Sequence, residues 1–423
     1  MPNKLLLNQL FLHPLVEALD RCAHQRACKK HPDIDFLKSG LARCLEPVVS
    51  GREFLQLHFS SGAKSWKLSH YFETNKSERR AALAAEAASL IAAYARRTHS
   101  AYRWPDDLPE LDGYDILLGD GHFHTAAVHD PKGPKGKIPV GQFFARHLRT
   151  GALHHIDTAV AAPGNTREHD MGMLKRQSTD ALRMGAPKGR KVLYVWDRAG
   201  IDFGQWHKWK QAAGIYFLTR AKEGICNESV GENTWDRDDY RNNGVSSDTL
   251  VWTSSHTSVR RVDYTDPASG KEFVFVTNLP TKIPPGVIAW LYQRRWDVEK
   301  TFDETRNRLG EGKAWGSSVT AKRIQGSFIS IAYNLLLILE DRLRKAGELP
   351  KEPQEEKRRG KRRMFQVAKA KAAGRKINYH LTCCDGSSQI GCKFIRWVKR
   401  HLSLGTSYAE SVANLRLLYG EFS

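Results

Sequence analysis

A run of polar side chains near residue 300 has the residue types and the spacing for phosphate chemistry. At about 100° per residue, one helix would bring four of them within roughly 60° on one face: Tyr292, Arg295, Glu299 and Arg306. A carboxylate binds a divalent metal ion and guanidinium groups bind phosphate oxygens, so this face suits a metal ion beside a phosphate. The alternative is a solvated face with a simple i,i+4 ion pair between Arg295 and Glu299.

The same stretch carries an apolar stripe that would hold the helix against a core. Four apolar residues cluster about 100° round from Tyr292: Leu291, Val298, Phe302 and Leu309. This spacing is typical of an amphipathic helix packed on a globular core. The pattern therefore predicts one helix with a buried side and a working side.

Two further carboxylates follow predicted buried strands. Asp120 comes between two glycines after the apolar strand 114–118, and Asp197 comes directly after the apolar strand 191–196. Ligands of open α/β sheets bind at the carboxyl ends of strands, where a lone buried carboxylate would be costly. Either acid alone would be typical of a turn. Together with Glu299 they predict a site of three acids.

Around these acids the sequence predicts a mixed α/β domain. Its elements follow the order strands 114–118, 123–128 and 151–160, helix 167–184, strand 191–196, helix 203–213 and strand 215–219. This order is that of an RNase H-like fold. Alternating polar and β-branched or aromatic residues then predict antiparallel strands at 249–253, 258–264 and 272–277. A long helix at 319–343 closes the domain.

Both ends of the chain have helical patterns. The N-terminal helices are predicted at 5–21, 35–45, 51–59 and 78–97, the last with Ser77 as its cap. Basic and aromatic residues alternate at 64–80, as on a DNA-contacting surface, although the aromatic ones are more often core. A basic run without acids occupies 357–376, and the helices predicted at 394–402 and 408–419 could pack on the core or on a second protomer.

The charge balance restricts the class of partner. The chain of 423 residues has 66 Lys and Arg against 46 Asp and Glu, a formal net charge of +20. Such an excess favours a polyanion, and nucleic acid is the first candidate because neutralised phosphates release counterions. An anionic membrane surface is the competitor. No apolar run reaches the roughly 18 residues of a spanning helix, so we expect a soluble, cytoplasmic protein without a membrane partner.

Cysteine and histidine give no metal pattern. The seven cysteines contain no CxxC pair and are expected to be reduced thiols. Five histidines near the predicted strands could be drawn as a cluster: His122, His124, His129, His154 and His155. Their spacing does not single out the three ligands of a zinc site, so we expect them to line the strands instead.

The spacing Tyr, two residues, Arg, three residues, Glu, six residues, Lys resembles the motif of bacterial cut-and-paste DDE transposases. Arg306 stands where that family has lysine, and the segment LGEGKAWG and the apolar run 328–339 are also similar. The resemblance implies an RNase H-like catalytic domain at 111–345, with a β-strand insertion at 222–280. It also implies a helical DNA-binding domain at 1–110 and a basic, helical C-terminal region at 346–423.

The resemblance also implies roles for the polar residues. Asp120, Asp197 and Glu299 would be catalytic and would hold two Mg²⁺ ions, with Mn²⁺ as a substitute, for in-line attack at phosphorus. Water would make the first cut, and the freed 3′-OH would then attack target DNA. A second set of residues would contact the DNA end: Tyr292, Arg295 and Arg306. One tryptophan, Trp235, Trp252 or Trp290, could stack a flipped base.

The implied partner is double-stranded DNA, as transposon ends and as target, bound by a homodimer at the nucleoid. Two alternatives remain open. A DNA-binding descendant would keep the charge and the fold without turnover, and a metal-dependent nuclease would cut without strand transfer.

Overall fold

The structure is a computed structural model, and it describes residues 6–28, 31–46, 50–60, 67–98, 108–127, 129–130, 132–133, 136–137, 140–159, 168–225, 228–267, 269–310, 312–349, 364–365, 368–369, 372–373 and 389–419. Most of the basic run 357–376 and Trp66 of the proposed DNA-contacting surface lie outside these ranges. Within them no helix is long and apolar enough to cross a membrane.

Helices begin the chain, four of them as predicted and the fourth in sequence not predicted. They are α1 (Leu7–Asp20), α2 (Asp33–Leu45), α3 (Gly51–Ser60), α4 (Leu68–Thr74) and α5 (Glu78–Thr98). The backbone nitrogen of Arg80 donates to Ser77 Oγ at 3.4 Å, so Ser77 caps α5. Tyr71 is buried, which confirms the expectation that aromatic residues of this region belong to the core.

One mixed sheet of nine strands forms the centre of the described part of the chain, in the order β5-β4-β1-β6-β7-β11-β10-β9-β8. Its first five strands in sequence are β1 (Tyr114–His124), β4 (Val140–His147), β5 (Leu153–Thr158), β6 (Lys191–Val195) and β7 (Ile215–Arg220). The two-residue strands β2 (Lys132–Gly133) and β3 (Gly136–Lys137) pair separately. Strands β1, β6 and β7 are parallel, and β4 runs antiparallel to β1. This is the predicted RNase H-like sheet.

The predicted insertion extends this sheet instead of forming a separate one. Its strands are β8 (Ser229–Glu232), β9 (Val245–Trp252), β10 (Ser258–Thr265) and β11 (Glu272–Thr277). β11 pairs antiparallel with β7, so the insertion continues from the edge of the RNase H-like part. The pattern of alternating residues predicted the last three strands, and the exposed strand β8 was missed.

The boundaries of the first strands differ from the prediction. The strands expected at 114–118 and 123–128 are one strand, β1. A Cβ on Gly119 would lie 2.0 Å from the Trp196 ring, and one on Gly121 would lie 2.8 Å from Phe143. These glycines allow close packing against the strand and do not mark a turn.

Strand β4 was not predicted at all. Every residue from Val140 to His147 is buried, so the strand has no alternation of polar and apolar residues to read. Polar side chains are accommodated by internal hydrogen bonds: Gln142 Oε1 lies 2.8 Å from His155 Nε2 and accepts from Thr158 Oγ1 at 2.7 Å.

Helices cover the sheet and connect the two ends of the chain. The helix expected at 167–184 is interrupted, and forms α6 (Asp170–Lys175) and α7 (Thr179–Leu182), where Ser178 Oγ caps α7. Helix α8 (Phe203–Ala213) matches its prediction. Helices α9 (Pro285–Arg294) and α10 (Trp296–Arg308) follow the insertion.

The long helix α11 (Val319–Lys345) packs against α5, α2 and β5, so N-terminal helices and sheet share one hydrophobic core. The chain ends with α12 (Gln389–Leu404) and α13 (Tyr408–Tyr419). Phe394 and Trp397 are buried where α12 packs on the core near α10 and α1, which is the first of the two expected arrangements. Trp397 Nε1 donates to the Ser411 carbonyl oxygen at 2.8 Å and so ties α13 to α12.

Candidate active site

The residues from Tyr292 to Arg306 were predicted to form one continuous helix. They lie instead on two helices that meet at Arg295. Arg295 keeps helical backbone angles (φ −54°, ψ −30°) and is the residue between α9 and α10. The predicted apolar stripe is confirmed, because four side chains are buried: Leu291, Val298, Phe302 and Leu309. The helical angles at the junction keep Tyr292, Arg295 and Glu299 close together despite the break.

Arg295 links two of the three predicted acids. Its Nη1 donates to Asp120 Oδ2 at 2.9 Å and its Nη2 donates to Glu299 Oε1 at 2.7 Å. The guanidinium carbon lies 5.7 Å from the Tyr292 ring centre and 4.9 Å from that of Trp296. Burial opposes the charge of Arg295, but Asp120, Tyr292 and Glu299 raise its pKa above the ordinary value. A permanent cation therefore lies between the two carboxylates.

Asp120 was predicted to follow the end of its strand, but it lies within β1. It follows the point at which β1 stops pairing with β6. The parallel pairing of β1 with β6 ends at Leu118 and Val195, whereas the pairing of β1 with β4 continues to His124. Asp197 comes two residues after the end of β6, at the same carboxyl end. Its Oδ1 accepts a hydrogen bond from the backbone nitrogen of Ala199 at 2.7 Å, which fixes the carboxylate beside the strand end.

The predicted acids interact electrostatically. The pKa of Asp120 is raised to about 7, mainly by burial, while Arg295 lowers it and the charges of Asp197, Glu299 and Asp170 raise it. Burial also raises the pKa of Tyr292, and Asp197 contributes to that shift. Contacts thus join Asp120, Glu299 and Tyr292 around Arg295. Asp197 is coupled to this group through its charge.

Asp170 is a fourth carboxylate that sequence reasoning missed. It is buried in the first turn of α6 and accepts a hydrogen bond from Trp196 Nε1 at 2.9 Å. The Trp196 ring lies against Gly119, so Asp170 is held beneath the strand that carries Asp120. No local pattern marks it, because its role depends on a contact between α6 and the end of β6.

The donor set suits a hard divalent cation, since carboxylate oxygens are the ligands that Mg²⁺ and Mn²⁺ prefer. In the arrangement shown, Arg295 holds Asp120 and Glu299. Within the described residues, no group of three His, Cys, Asp or Glu side chains is close enough to hold a metal ion. The acids therefore fit the metal by chemistry, but the guanidinium and a metal ion would compete for the same two carboxylates.

The other predicted positions differ in how much can be described. Arg306 lies in α10, but its side chain is outside the described residues. Among the three tryptophans, Trp252 is the most open, with 47% of its surface exposed. Trp235 and Trp290 are half-buried, and Arg237 and Arg294 lie 4.7 and 6.0 Å from their ring centres. Burial lowers the pKa of His124 to about 4 and of His154 to about 3, so both are neutral near pH 7.

The sheet, its insertion and the helices at both termini form an RNase H-like α/β domain. Residues 113–335 match the model of the transposase DDE domain, which covers more than half of the chain. The chain belongs to this family. It is therefore a DNA transposase of the DDE class, and its family cuts and transfers DNA with divalent metal ions. No curated protein matches the sequence.

Proposed function

We propose that this DDE transposase is a cut-and-paste enzyme of the Tyr-Arg-Glu-Lys type, with Arg306 in the position of the lysine. It binds the terminal inverted repeats of its element, cuts DNA and joins the 3′-OH ends to target DNA. The observation that carries the proposal is the contact of Arg295 with both Asp120 and Glu299, beside Asp197 and Tyr292. A simple surface ion pair would not reach from α10 to a strand of the sheet.

Asp120, Asp197 and Glu299 are the proposed catalytic residues and metal ligands, with Mg²⁺ as the cofactor and Mn²⁺ as its substitute. When bound, the metal supplies activation of the attacking water or 3′-OH and stabilisation of the leaving 3′ oxygen. Arg295 already neutralises two of these acids, so it competes with the metal in the free protein. Once displaced, its guanidinium is available to a phosphate of the DNA end.

The remaining parts of the chain receive roles that support this chemistry. Tyr292, Arg295 and Arg306 contact the DNA end, and the helical region 1–110 binds the repeats of the element. The catalytic domain spans 111–345 with its insertion at 222–280, where the exposed Trp252 is the best placed of the three tryptophans to stack a base. The basic region 346–423 adds contacts with the DNA backbone. The active complex is a homodimer on DNA at the nucleoid.

One experiment tests the reaction. The purified chain is incubated with Mg²⁺ and a DNA fragment that bears the inverted repeats flanking its gene, and the products are separated by size. Joined products are expected. Cut products without joining would indicate a nuclease, and a bound but intact fragment would indicate a DNA-binding protein without turnover.

Substitution of Asp120 tests the site. Asp120→Asn should abolish cleavage, because it removes a charged metal ligand, and should leave binding of the DNA end largely intact. Asp112→Asn is the matched control, since Asp112 is exposed just before the other end of β1. Equal loss of binding and cleavage in Asp120→Asn, with a folded protein, would contradict a catalytic role for this acid.

A further inference from the structure

A second cluster of basic groups lies away from the acids, in a cavity between the N-terminal helices and the segment after α10. The cavity has a volume of about 430 Å³, within the range of roughly 300–1,000 Å³ that is typical of ligand pockets. Its charged and titratable lining residues are Arg43, Lys76, His129 and Lys313, and no acidic residue lines it within the described part of the chain. Such a lining favours an anion.

Arg43 is the central group of this basic cavity. Only 5% of its surface is exposed, and it extends from α2 over the Trp315 ring, with its guanidinium carbon 4.4 Å from the ring centre. Its Nη1 donates to Tyr71 Oη at 3.2 Å. No carboxylate pairs with Arg43 among the described residues. A buried guanidinium without an acid is costly unless an anion reaches it.

Asn75 is independent evidence that a ligand binds in this cavity, because its side-chain amide has no hydrogen-bond acceptor. The residue is 5% exposed and lines the basic cavity, and its Nδ2 has no hydrogen-bond partner in the described structure. Buried amide donors are nearly always satisfied, so an unpaired one in a cavity points to a ligand atom that accepts a hydrogen bond. Arg43 and Asn75 thus both present donors and both lack an anionic partner.

Two helix N-termini add positive potential to the same cavity. Ser50 and Gly51 line it at the start of α3, and Ser317 and Ser318 line it at the start of the 27-residue α11. The dipole of a helix makes its N-terminus attractive to anions. Part of the first N–H groups is already capped, because Ser50 Oγ accepts from Glu53 N and Ser318 Oγ accepts from Ala321 N. Lys76 has one nearby acid, Glu73 at 2.7 Å, but both side chains are largely exposed and such a pair is weak.

The segment that closes the cavity follows the active-site helix α10 and is hydrogen-bonded to α2 and α11. The backbone nitrogen of Gly310 donates to the Cys44 carbonyl oxygen at 2.6 Å, and a Cβ on Gly310 would lie 2.8 Å from the Arg43 carbonyl oxygen. Trp315 N and the Lys313 carbonyl are both hydrogen-bonded to Gln325. Helix α10 carries Glu299 and ends at Arg308, and the cavity lining begins two residues later, at Gly310.

We propose that this basic cavity binds the phosphate of one nucleotide in a DNA strand, beyond the end of the helix that carries Glu299. The inference rests on the proposed function for the identity of the polyanion. Arg43 and the Asn75 amide hold the phosphate oxygens, and Lys76 and Lys313 add charge at the rim. The volume exceeds that of a phosphate group, which leaves room for the attached sugar.

The test measures binding of the same end fragment by the full chain at several salt concentrations. The variants are Arg43→Gln, Arg43→Lys and the double variant Lys76→Gln/Lys313→Gln. Each phosphate contact adds about one unit to the slope of log K against log salt. Arg43→Gln should lower the slope by about one unit and Arg43→Lys should restore most of it. The double variant changes only exposed side chains, so it keeps the test valid if Arg43→Gln fails to fold.

Lys188→Gln is the matched control, because Lys188 is equally exposed and lies outside the cavity lining, before the amino end of β6. Its slope should be unchanged. Unchanged slopes in both Arg43→Gln and the double variant would overturn the proposal. A second arm adds inorganic phosphate or dAMP and follows thermal stability. Stabilisation of the wild type but not of the variants, with equal DNA slopes, would show a site for free phosphate compounds and would also overturn it.

Failure of the proposed function has a different signature. If the wild type neither cuts nor joins the fragment with Mg²⁺ but the variants still lose slope, the phosphate site stands and the transposition chemistry fails. If the fragment is cut and joined while all slopes stay equal, the chemistry stands and the phosphate site fails.

Discussion

Arg260 and Arg43 are both buried, but the protein treats their charges in opposite ways. Arg260, in the insertion, donates from Nε and Nη2 to Asp248 at 2.9 and 2.5 Å and from Nη1 to the carbonyl oxygens of Pro280 and Ile283. Arg43 has only Tyr71 Oη and the Trp315 ring among the described residues. A charge that the fold neutralises itself stabilises structure, whereas one left without an acid is suited to a ligand.

Arg295 belongs between these two cases. Both of its Nη atoms pair with carboxylates while its Nε has no partner in the described structure, and those partners, Asp120 and Glu299, are the acids proposed for metal binding. Arg295 therefore offsets part of the negative charge of the site in the free protein. Its ion pairs must be exchanged when another cation or a phosphate enters. Asp248→Ala tests the structural arginine and Arg295→Ala the exchangeable one, while Arg43→Gln, described above, tests the unpaired one.

The largest effect is expected for the structural pair. Asp248→Ala leaves Arg260 buried without its acid, and removal of one partner from a buried pair costs about 3–5 kcal/mol. The free energy of unfolding, measured with urea, should fall by this amount. Asp263→Ala is the control, since Asp263 pairs with Arg261 at 3.0 Å where both are partly exposed, and it should cost about 1 kcal/mol or less. Equal losses in both variants would refute the structural assignment of Arg260.

The exchangeable pair should show opposite effects on metal binding and on catalysis. Arg295→Ala frees Asp120 and Glu299, so the affinity of the free protein for Mn²⁺, measured by titration calorimetry, should rise. Cleavage should fall on the order of 100-fold, as for loss of a transition-state donor, and the salt slope for the DNA end should fall by about one unit. Asp120→Asn/Arg295→Ala is the control and should lose the gain in Mn²⁺ affinity.

If Arg295 and Glu299 formed only a helix ion pair, worth a few tenths of a kcal/mol, Arg295→Ala would leave the salt slope unchanged. Unchanged Mn²⁺ affinity would likewise contradict competition between the guanidinium and the metal.

These arginines also show what the sequence could predict. Arg295, Glu299 and Tyr292 follow from helical spacing, because residues on one face of a helix stay together even across the break at Arg295. Asp197 follows from the end of an apolar strand. Arg43 and Asp170 carry no local signal, since Arg43 is defined by a loop that follows α10 and Asp170 by the Trp196 ring.

The same distinction applies to the fold. The mixed sheet, the insertion and most of the terminal helices were predicted, because apolar residues recur along these elements with the spacing of a strand or of a helix. Strand β4 was missed because it is buried along its whole length. Gly119 was taken for the end of a strand. In the structure a side chain at this position would collide with the Trp196 ring, and the sequence does not distinguish such a glycine from one that is needed for a turn.

The smallest expected change in the free energy of unfolding comes from the repulsion of Asp120 by Asp197 and Glu299. This repulsion makes the stability of the protein depend on pH. Burial and the charges of Asp197 and Glu299 hold the pKa of Asp120 at about 7 in the folded protein, against an ordinary value of 3.8. The unfolded chain releases this proton near pH 4 and the folded protein only near pH 7, so the contribution of Asp120 to stability falls across that window and stays low above it. Asp120→Asn removes the titration.

In EDTA, the free energy of unfolding of Asp120→Asn should therefore exceed that of the wild type at pH 8, and the two should converge near pH 4. The gain should be on the order of 1–2 kcal/mol, less than the full shift would give, because the Asp120 side chain keeps 16% of its surface exposed and solvent screens part of the repulsion. Asp112→Asn controls for the change in net charge and should show no such gain. A wild type that is the more stable of the two at pH 8 would show that the ion pair with Arg295 outweighs the repulsion, which would make Asp120 a structural partner of Arg295 as Asp248 is of Arg260.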